Sequence, residues 1–396
     1  MKESYHRPIH GRILRRLTGP PELIQILMGP RQVGKTFAAR AIASRWEGPV
    51  NYAAADTALP PGPEWIEMHW SAARRVAGQA PGLLVLDEVQ KVRGWSEVVK
   101  ALWDEDRASG LAIKVLLLGS SALLLAEGTS ESLAGRFFLH RFPHWSYAEC
   151  RDAFGWDLDR WIFFGGYPGS APLIEEEPDW RAYVNDSLIE TVLARDVLAM
   201  QKVNKPALLR NLFLMATRFP AQVLSYNKML GQLQDAGNTT TLAHYLQLLQ
   251  TAFLLSGLER YSAGQSRSRA SSPKLVLWNN ALITAPGLRS FEQTRADPIL
   301  WGRLVENAVG AHLLNHLQAL SYEITYWRHR NQEVDFVIRS GETVWAIEVK
   351  SGRPVRPQGL AAFRCLHPGS RILVVGSGGM TLEEFFSADP ESVLGW

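Results

Sequence analysis

Apolar residues in the first part of the chain gather in short runs of strand length: Leu23-Ile24-Gln25-Ile26-Leu27-Met28, Leu83-Leu84-Val85-Leu86, Ile113-Lys114-Val115-Leu116-Leu117-Leu118 and Phe137-Phe138-Leu139-His140-Arg141-Phe142. Leu83 to Leu86 has the make-up of a central parallel strand buried on both faces. Phe37 to Ala43, which follows the first run, reads as a helix, so strand, loop and helix predict an α/β core over residues 1–150. The period then changes. Ala207 to Arg218 and Ser225 to Asp235 follow helical spacing, and after the turn Ala236-Gly237-Asn238 a third helix is predicted from a threonine cap in Thr239-Thr240-Thr241. Its apolar positions are Leu242, Tyr245, Leu246, Leu249 and Phe253, which leaves Thr241, His244, Gln247 and Thr251 on another face. Two strand-like runs follow, Leu254 to Tyr261 and Lys274 to Trp278, with polar Ser262 to Pro273 between them. In the last third a helix pattern from Gly302 to Leu314 precedes two alternating runs, Glu333 to Ile338 and Val344 to Lys350, around the turn Arg339-Ser340-Gly341-Glu342. Helix Gln358 to Leu366 and strand Arg371 to Val375 complete it. Three domains are expected, 1–150, 151–290 and 291–396.

The loop after the first run carries the most specific chemistry. Gly29-Pro30-Arg31-Gln32-Val33-Gly34-Lys35-Thr36 satisfies the phosphate-loop pattern G-x-x-x-x-G-K-S/T at every fixed position. Gly29 and Gly34 admit backbone angles and close approach that a side chain would block, so successive N–H groups and the helix amino end can face phosphates. With Phe37 this stretch is expected to bind ATP. Lys35 would reach the β- and γ-phosphates and Thr36 would offer its hydroxyl to magnesium. The run Leu83 to Leu86 ends in Asp87-Glu88, and ligands of open α/β sheets sit beyond the carboxyl ends of strands. Asp87 suits a magnesium contact and Glu88 suits polarising the attacking water. Ser120, at the end of the next run, has two readings: a hydrogen bond to the γ-phosphate or lytic water, or a cap of the helix starting at Ala122. Arg136, just before the fourth run, suits stabilising transition-state charge in a neighbouring subunit, and by composition alone is equally a surface cation.

The order of Gly29 to Thr36, Asp87-Glu88, Ser120-Ser121 and Leu133-Ala134-Gly135-Arg136 resembles the AAA+ superfamily. The wording of the phosphate loop, Leu86-Asp87-Glu88-Val89-Gln90 and Gly165-Gly166-Tyr167-Pro168 resembles, over nearly the whole chain, a family of prokaryotic ATPases with a C-terminal domain of unknown function. The resemblance implies that Arg136 acts in trans within a ring or other oligomer, with a hexamer expected. It nominates Arg195 as a weak second sensor.

Composition narrows the setting. The chain has 396 residues, 46% apolar and 20% charged, which describes a globular protein of two or three domains. Cys150 and Cys365 are too far apart in sequence for ligand-like spacing, which argues against a disulfide framework or a zinc site. No signal core or membrane-length apolar stretch is present, and a reducing cytoplasm is expected. The net charge of +3 hides an asymmetry: Val197 to Phe291 holds ten basic residues against two acids, +8, and the remainder sums to −5. Such a segment suits a polyanion, DNA above all. Its helices, the two strand-like runs and the polar stretch with Arg267 and Arg269 follow the order of a winged helix. That module suits DNA backbone contact of weak sequence specificity, and also protein contact.

A second constellation lies in the last third. Glu348 and Lys350 share a face of one predicted strand, Asp335 lies on its hairpin neighbour, and Glu306 lies in the preceding helix. Paired carboxylates with a lysine can hold magnesium, activate water and steady a pentacovalent phosphate. Asp335, then Glu348-x-Lys350, resembles the restriction-endonuclease-like fold of PD-(D/E)xK nucleases, and Glu306 matches the upstream helical acid of its Holliday-junction-resolvase branch. The resemblance implies a magnesium site at Asp335 and Glu348, in a domain that either cleaves or only grips DNA. The expected whole is an α/β protein: a P-loop AAA+ core, a helical lid and winged-helix middle, and a C-terminal restriction-endonuclease-like domain. Its expected function is an oligomeric ATP-driven motor on duplex or branched DNA, such as Holliday junctions. The alternatives are an ATP-dependent signalling or defence switch that binds a protein partner, and an ATP-regulated transcription factor.

Overall fold

The computed structural model describes residues 5–20, 22–77, 81–120, 132–198, 203–233, 237–263, 271–317, 321–352 and 358–395. It divides into two compact units, Met1–Pro143 with Arg195–Lys202, and His144–Ala194 with Val203–Trp396.

In the first unit, helix α1 (Pro8–Thr18) leads to strand β1 (Ile24–Gly29), helix α2 (Lys35–Ala43), β2 (Val50–Ala54), α3 (Pro63–Ala77), β3 (Gly82–Asp87), α4 (Trp95–Ser109), β4 (Ile113–Ser120) and β5 (Phe137–Arg141). The strands form one sheet in the order β2-β3-β4-β1-β5, and each neighbouring pair is parallel. Every residue of β1 and β3 is buried, as unbroken apolar runs between covering helices require. Ile26, Leu84, Leu86, Val115 and Leu117 pack with Trp70 of α3 and with Trp95, Val99 and Trp103 of α4. One buried polar joint lies in this apolar layer. The carboxylate of Asp106 in α4 is fully buried and accepts from Trp70 Nε1 at 2.7 Å and from Arg74 Nε at 2.7 Å, which satisfies all three groups.

The second unit opens with helices α5 (Tyr147–Phe154) and α6 (Leu158–Phe164). Helices α7 (Pro206–Arg218), α8 (Tyr226–Gln232) and α9 (Thr239–Thr251) follow, then the antiparallel pair β6 (Leu255–Leu258) and β7 (Lys274–Leu277). The three-helix-and-hairpin order read from the sequence is thus present. The cap of α9 differs: Asn238 takes the place expected of a threonine, its side chain accepting from Thr241 N at 2.8 Å. Asn is among the strongest amino caps, and Thr239 and Thr240 fall inside the first turn instead. A 20-residue helix, α10 (Pro298–Leu317), precedes a four-stranded sheet of β8 (Glu323–His329), β9 (Gln332–Ser340), β10 (Thr343–Lys350) and β11 (Arg371–Gly376). Its order is β11-β10-β9-β8, with β10 and β11 parallel and the other pairs antiparallel.

Helix α10 is apolar nearly all round because it lies between the hairpin and this sheet. Asn307 in α10 exchanges two hydrogen bonds with the backbone of Leu277 in β7, at 2.9 and 3.0 Å, as a neighbouring strand would. Gly310 permits the approach. A Cβ there would lie 2.9 Å from both the Phe336 ring of β9 and Val276 of β7. Helix α11 (Gln358–Leu366) contributes Leu360 and Phe363 to a cluster with Trp327, Val334, Val337 and Ala346. Among the described residues, no helix is long and apolar enough to cross a membrane.

Candidate functional site

The phosphate loop lies between β1 and α2. Gly34 sits at φ 94° and Gln32 at φ 60°, so the chain passes twice through the left-handed region before the helix begins. Lys35 Nζ donates to the carbonyls of Gly29 at 2.9 Å and Pro30 at 2.7 Å, which folds the ammonium back over the loop. Thr36 Oγ1 donates to Asp87 Oδ2 at 2.8 Å and so ties the first turn of α2 to the end of β3. Tyr52, on β2, donates to the same oxygen at 2.7 Å. Burial, then the hydrogen bond to Asp87, push its phenol well above the ordinary tyrosine value, so it stays a donor. Glu88 follows Asp87 at φ 56°, an uncommon conformation for a residue with a side chain, and its Oε2 accepts from Gln90 Nε2 at 2.7 Å. Register places Ser120 beside Gly29, since β4 lies between β1 and β3. The side chains of Ser120 and Arg195 and the segment 121–131 lie outside the described residues.

Arg7 is a further contact of the loop. Its side chain is buried, donates to Pro143 O at 3.0 Å and Val33 O at 3.4 Å, and lies 4.6 Å from the Phe142 ring centre. Phe37 is partly exposed and stacks at 6.1 Å on His6. Arg136 lies elsewhere. Its backbone carbonyl bonds to Ile24 N, and β5 runs parallel to β1 with Phe137 beside Ile24. It therefore stands at the amino end of the sheet, about 16 Å of strand from the loop. Its guanidinium makes two bonds to Asp104, at 2.7 and 2.9 Å. Sequence reading did not find Tyr52, Arg7 or Gln90. Only Gln90, two residues from Glu88, left a local signal.

In the second unit the fold draws together Glu306 of α10, Asp335 of β9, and Glu348 and Lys350 of β10. Val349 N donates to Asp335 Oδ2 at 2.8 Å, and Lys350 Nζ donates to Glu348 Oε1 at 2.6 Å. A residue not foreseen stands among them: Lys274 of β7, fully buried, with Nζ 2.5 Å from Glu306 Oε1 and 3.6 Å from Asp335 Oδ1. Burial and the Asp335 charge push the Glu306 carboxyl up to about 8, against the pull of Lys274. Among the described residues, no group of three or more His, Cys, Asp or Glu is arranged to hold a metal ion. The basic segment is also less cationic at the surface than its count. Arg210 pairs with Glu190 at 2.6 Å and Arg289 with Asp297 at 2.6 Å, while Lys274 is buried. Lys202, Arg267 and Arg269 lie outside the described residues.

Residues 22–151 match a family described as an AAA domain. Residues 155–292 and 301–384 match two families described as domains of unknown function, DUF8612 and DUF4143. The chain is 23% identical over 277 residues to an uncharacterized protein of Haemophilus influenzae, covering 67% of this chain and 64% of that protein. It is 23% identical over 287 residues to an uncharacterized protein of Methanocaldococcus jannaschii, covering 67% and 60%. The alignments thus span less than two thirds of the curated relatives. Among solved structures, it is similar to one described as the structural basis for katanin self-assembly, with 20% identity, 37% and 54% coverage and a TM-score of 0.29. It is also similar to the Thermotoga maritima RuvB Holliday junction branch migration motor, with 15% identity, 67% and 92% coverage and a TM-score of 0.32.

Proposed function

We propose that the chain is a magnesium-dependent ATP hydrolase that works as an oligomer on DNA. The observation that carries the first part is the hydrogen bond from Thr36 to Asp87, which joins the phosphate loop to the acidic strand end at 2.8 Å. Thr36 and Asp87 would hold magnesium, which would supply charge neutralisation for the β- and γ-phosphates. The loop N–H groups and the amino end of α2 receive the phosphates, and Lys35 exchanges the Gly29 and Pro30 carbonyls for phosphate oxygens. Tyr52 keeps Asp87 oriented. Glu88 leaves Gln90 to accept the proton of the attacking water. Arg136 stands too far from its own loop to reach it, which supports a role in a neighbouring subunit once Asp104 releases it.

DNA is proposed as the partner because α8, α9 and the β6–β7 hairpin have the winged-helix order, and α9 exposes Thr240, His244 and Gln247. Arg218, Lys228 and Arg260 are exposed cations of the same segment. ATP hydrolysis measured with linear, forked and four-way DNA at rising salt tests this reading. Stimulation that weakens with salt is expected. Absence of DNA binding at low salt, together with absence of stimulation, overturns it. That outcome favours a switch acting on a protein partner, a reading supported by the pairing of Arg210 and Arg289 with acids.

A further inference from the structure

The acid cluster of the second unit is arranged around a cation that belongs to the chain. The ammonium of Lys274 is 2.5 Å from Glu306 Oε1, 3.6 Å from Asp335 Oδ1 and 3.8 Å from Glu333 Oε1. It also donates to the Asp335 carbonyl at 3.1 Å and lies 4.8 Å from the Phe336 ring centre. Carboxylates and a carbonyl converging from a helix and a strand are the donor set of a hard divalent cation. Here the chain supplies the positive charge. Lys274 is held in place by its backbone, which pairs with Leu258 in β6 and with Val223 on the other side.

Two of the remaining oxygens are also engaged. Asp335 Oδ2 takes the Val349 N–H and Glu348 Oε1 takes the Lys350 ammonium. Glu348 Oε2 is buried without a hydrogen-bond partner. A divalent ion at Asp335 and Glu348 would enter beside two ammonium groups, whose like charge repels it.

We propose that the Lys274 ammonium permanently occupies the cation position of the Glu306–Asp335–Glu348 cluster, so that the cluster binds no magnesium and the second unit has no metal-dependent phosphodiester cleavage. This holds whether the partner is DNA or a protein. The test is manganese uptake by the nucleotide-free full chain, read from loss of the free-ion electron paramagnetic resonance signal. Wild type and Asp335→Asn are expected to take up equal amounts. Lys274→Met, which keeps volume and removes charge, is expected to gain one equivalent that Lys274→Met with Asp335→Asn loses again. Wild-type uptake that falls by one equivalent in Asp335→Asn overturns the proposal. So does a Lys274→Met protein with unchanged near-ultraviolet circular dichroism that gains no ion. If Lys274→Met does not fold, the wild-type and Asp335→Asn comparison still decides. Plasmid cleavage by wild type with manganese that Asp335→Asn abolishes also overturns the proposal.

Discussion

Asp87 gathers two donors on one oxygen, and only one of them lies in a recognisable motif. Thr36 belongs to the contiguous phosphate loop and was legible there, whereas Tyr52 reaches Asp87 only because β2 pairs with β3, Ala54 beside Asp87. No local signal marks a tyrosine 35 residues from its partner. Removing its hydroxyl in Tyr52→Phe should lower steady-state ATP hydrolysis roughly fivefold, the worth of one hydrogen bond of about 1 kcal/mol, with a raised magnesium requirement. A magnesium titration of the rate checks this, and an unchanged requirement would count against the role of Tyr52. For Glu88→Gln the expectation is retained ATP binding with hydrolysis down about 100-fold or more, as loss of a general base implies. Lys35→Ala should lose ATP binding itself. Fluorescent-nucleotide binding measured beside turnover separates the two.

The central strands β1, β3 and β4 were legible because parallel strands buried on both faces leave mainly apolar runs; they and the half-buried edge strand β5 lie within two residues of the runs read from sequence. The exposed edge strand β2 and the contact between α3 and α4 were not. Val50 to Ala54 is mixed in character, and the buried joint at Asp106 depends on two helices meeting. Asp106→Ala would leave the Trp70 N–H without an acceptor and Arg74 without its buried partner, at a cost of about 3 kcal/mol. A fall in Tm is the expected readout; an unchanged Tm would show the joint to be dispensable.

Acid sensitivity belongs to the same sheet. His140 on β5 is buried, with Nε2 2.8 Å from Gln25 Oε1, and burial, then Arg12 and Arg16, hold its imidazole down to about 4. As pH falls, the unfolded chain takes up a proton first, near 6.5. The stabilising contribution is therefore complete above pH 6.5 and is lost progressively down to about pH 4, roughly 3 kcal/mol in all. Thermal unfolding followed from pH 7 to 4 should show this loss, and His140→Leu should flatten that part of the curve whatever its absolute Tm.

At the scale of the whole molecule, the proposed oligomer would give Arg136 a role in a neighbouring subunit. Within its own subunit it stands at the far end of β5 from the phosphate loop and is bound to Asp104. Arg136→Ala protein should be inactive alone, and mixing it with Glu88→Gln protein should restore hydrolysis that neither shows separately. Lack of recovery in mixtures shown to co-assemble by native mass spectrometry would place the arginine outside catalysis.

The proposed ATP site was readable along the chain because eight consecutive residues and one strand end would carry it. The second unit was readable as elements and as a set of acids, since Glu306, Asp335, Glu348 and Lys350 do converge. Their electrostatic meaning was not. Lys274 entered the sequence count as one more basic residue, and its approach to an acid 61 residues away arises only where β7 packs against α10 and its side chain reaches β9. A residue's charge is written in its side chain; whether that charge faces water or fills a hole among carboxylates is set by burial, which only the assembled fold specifies.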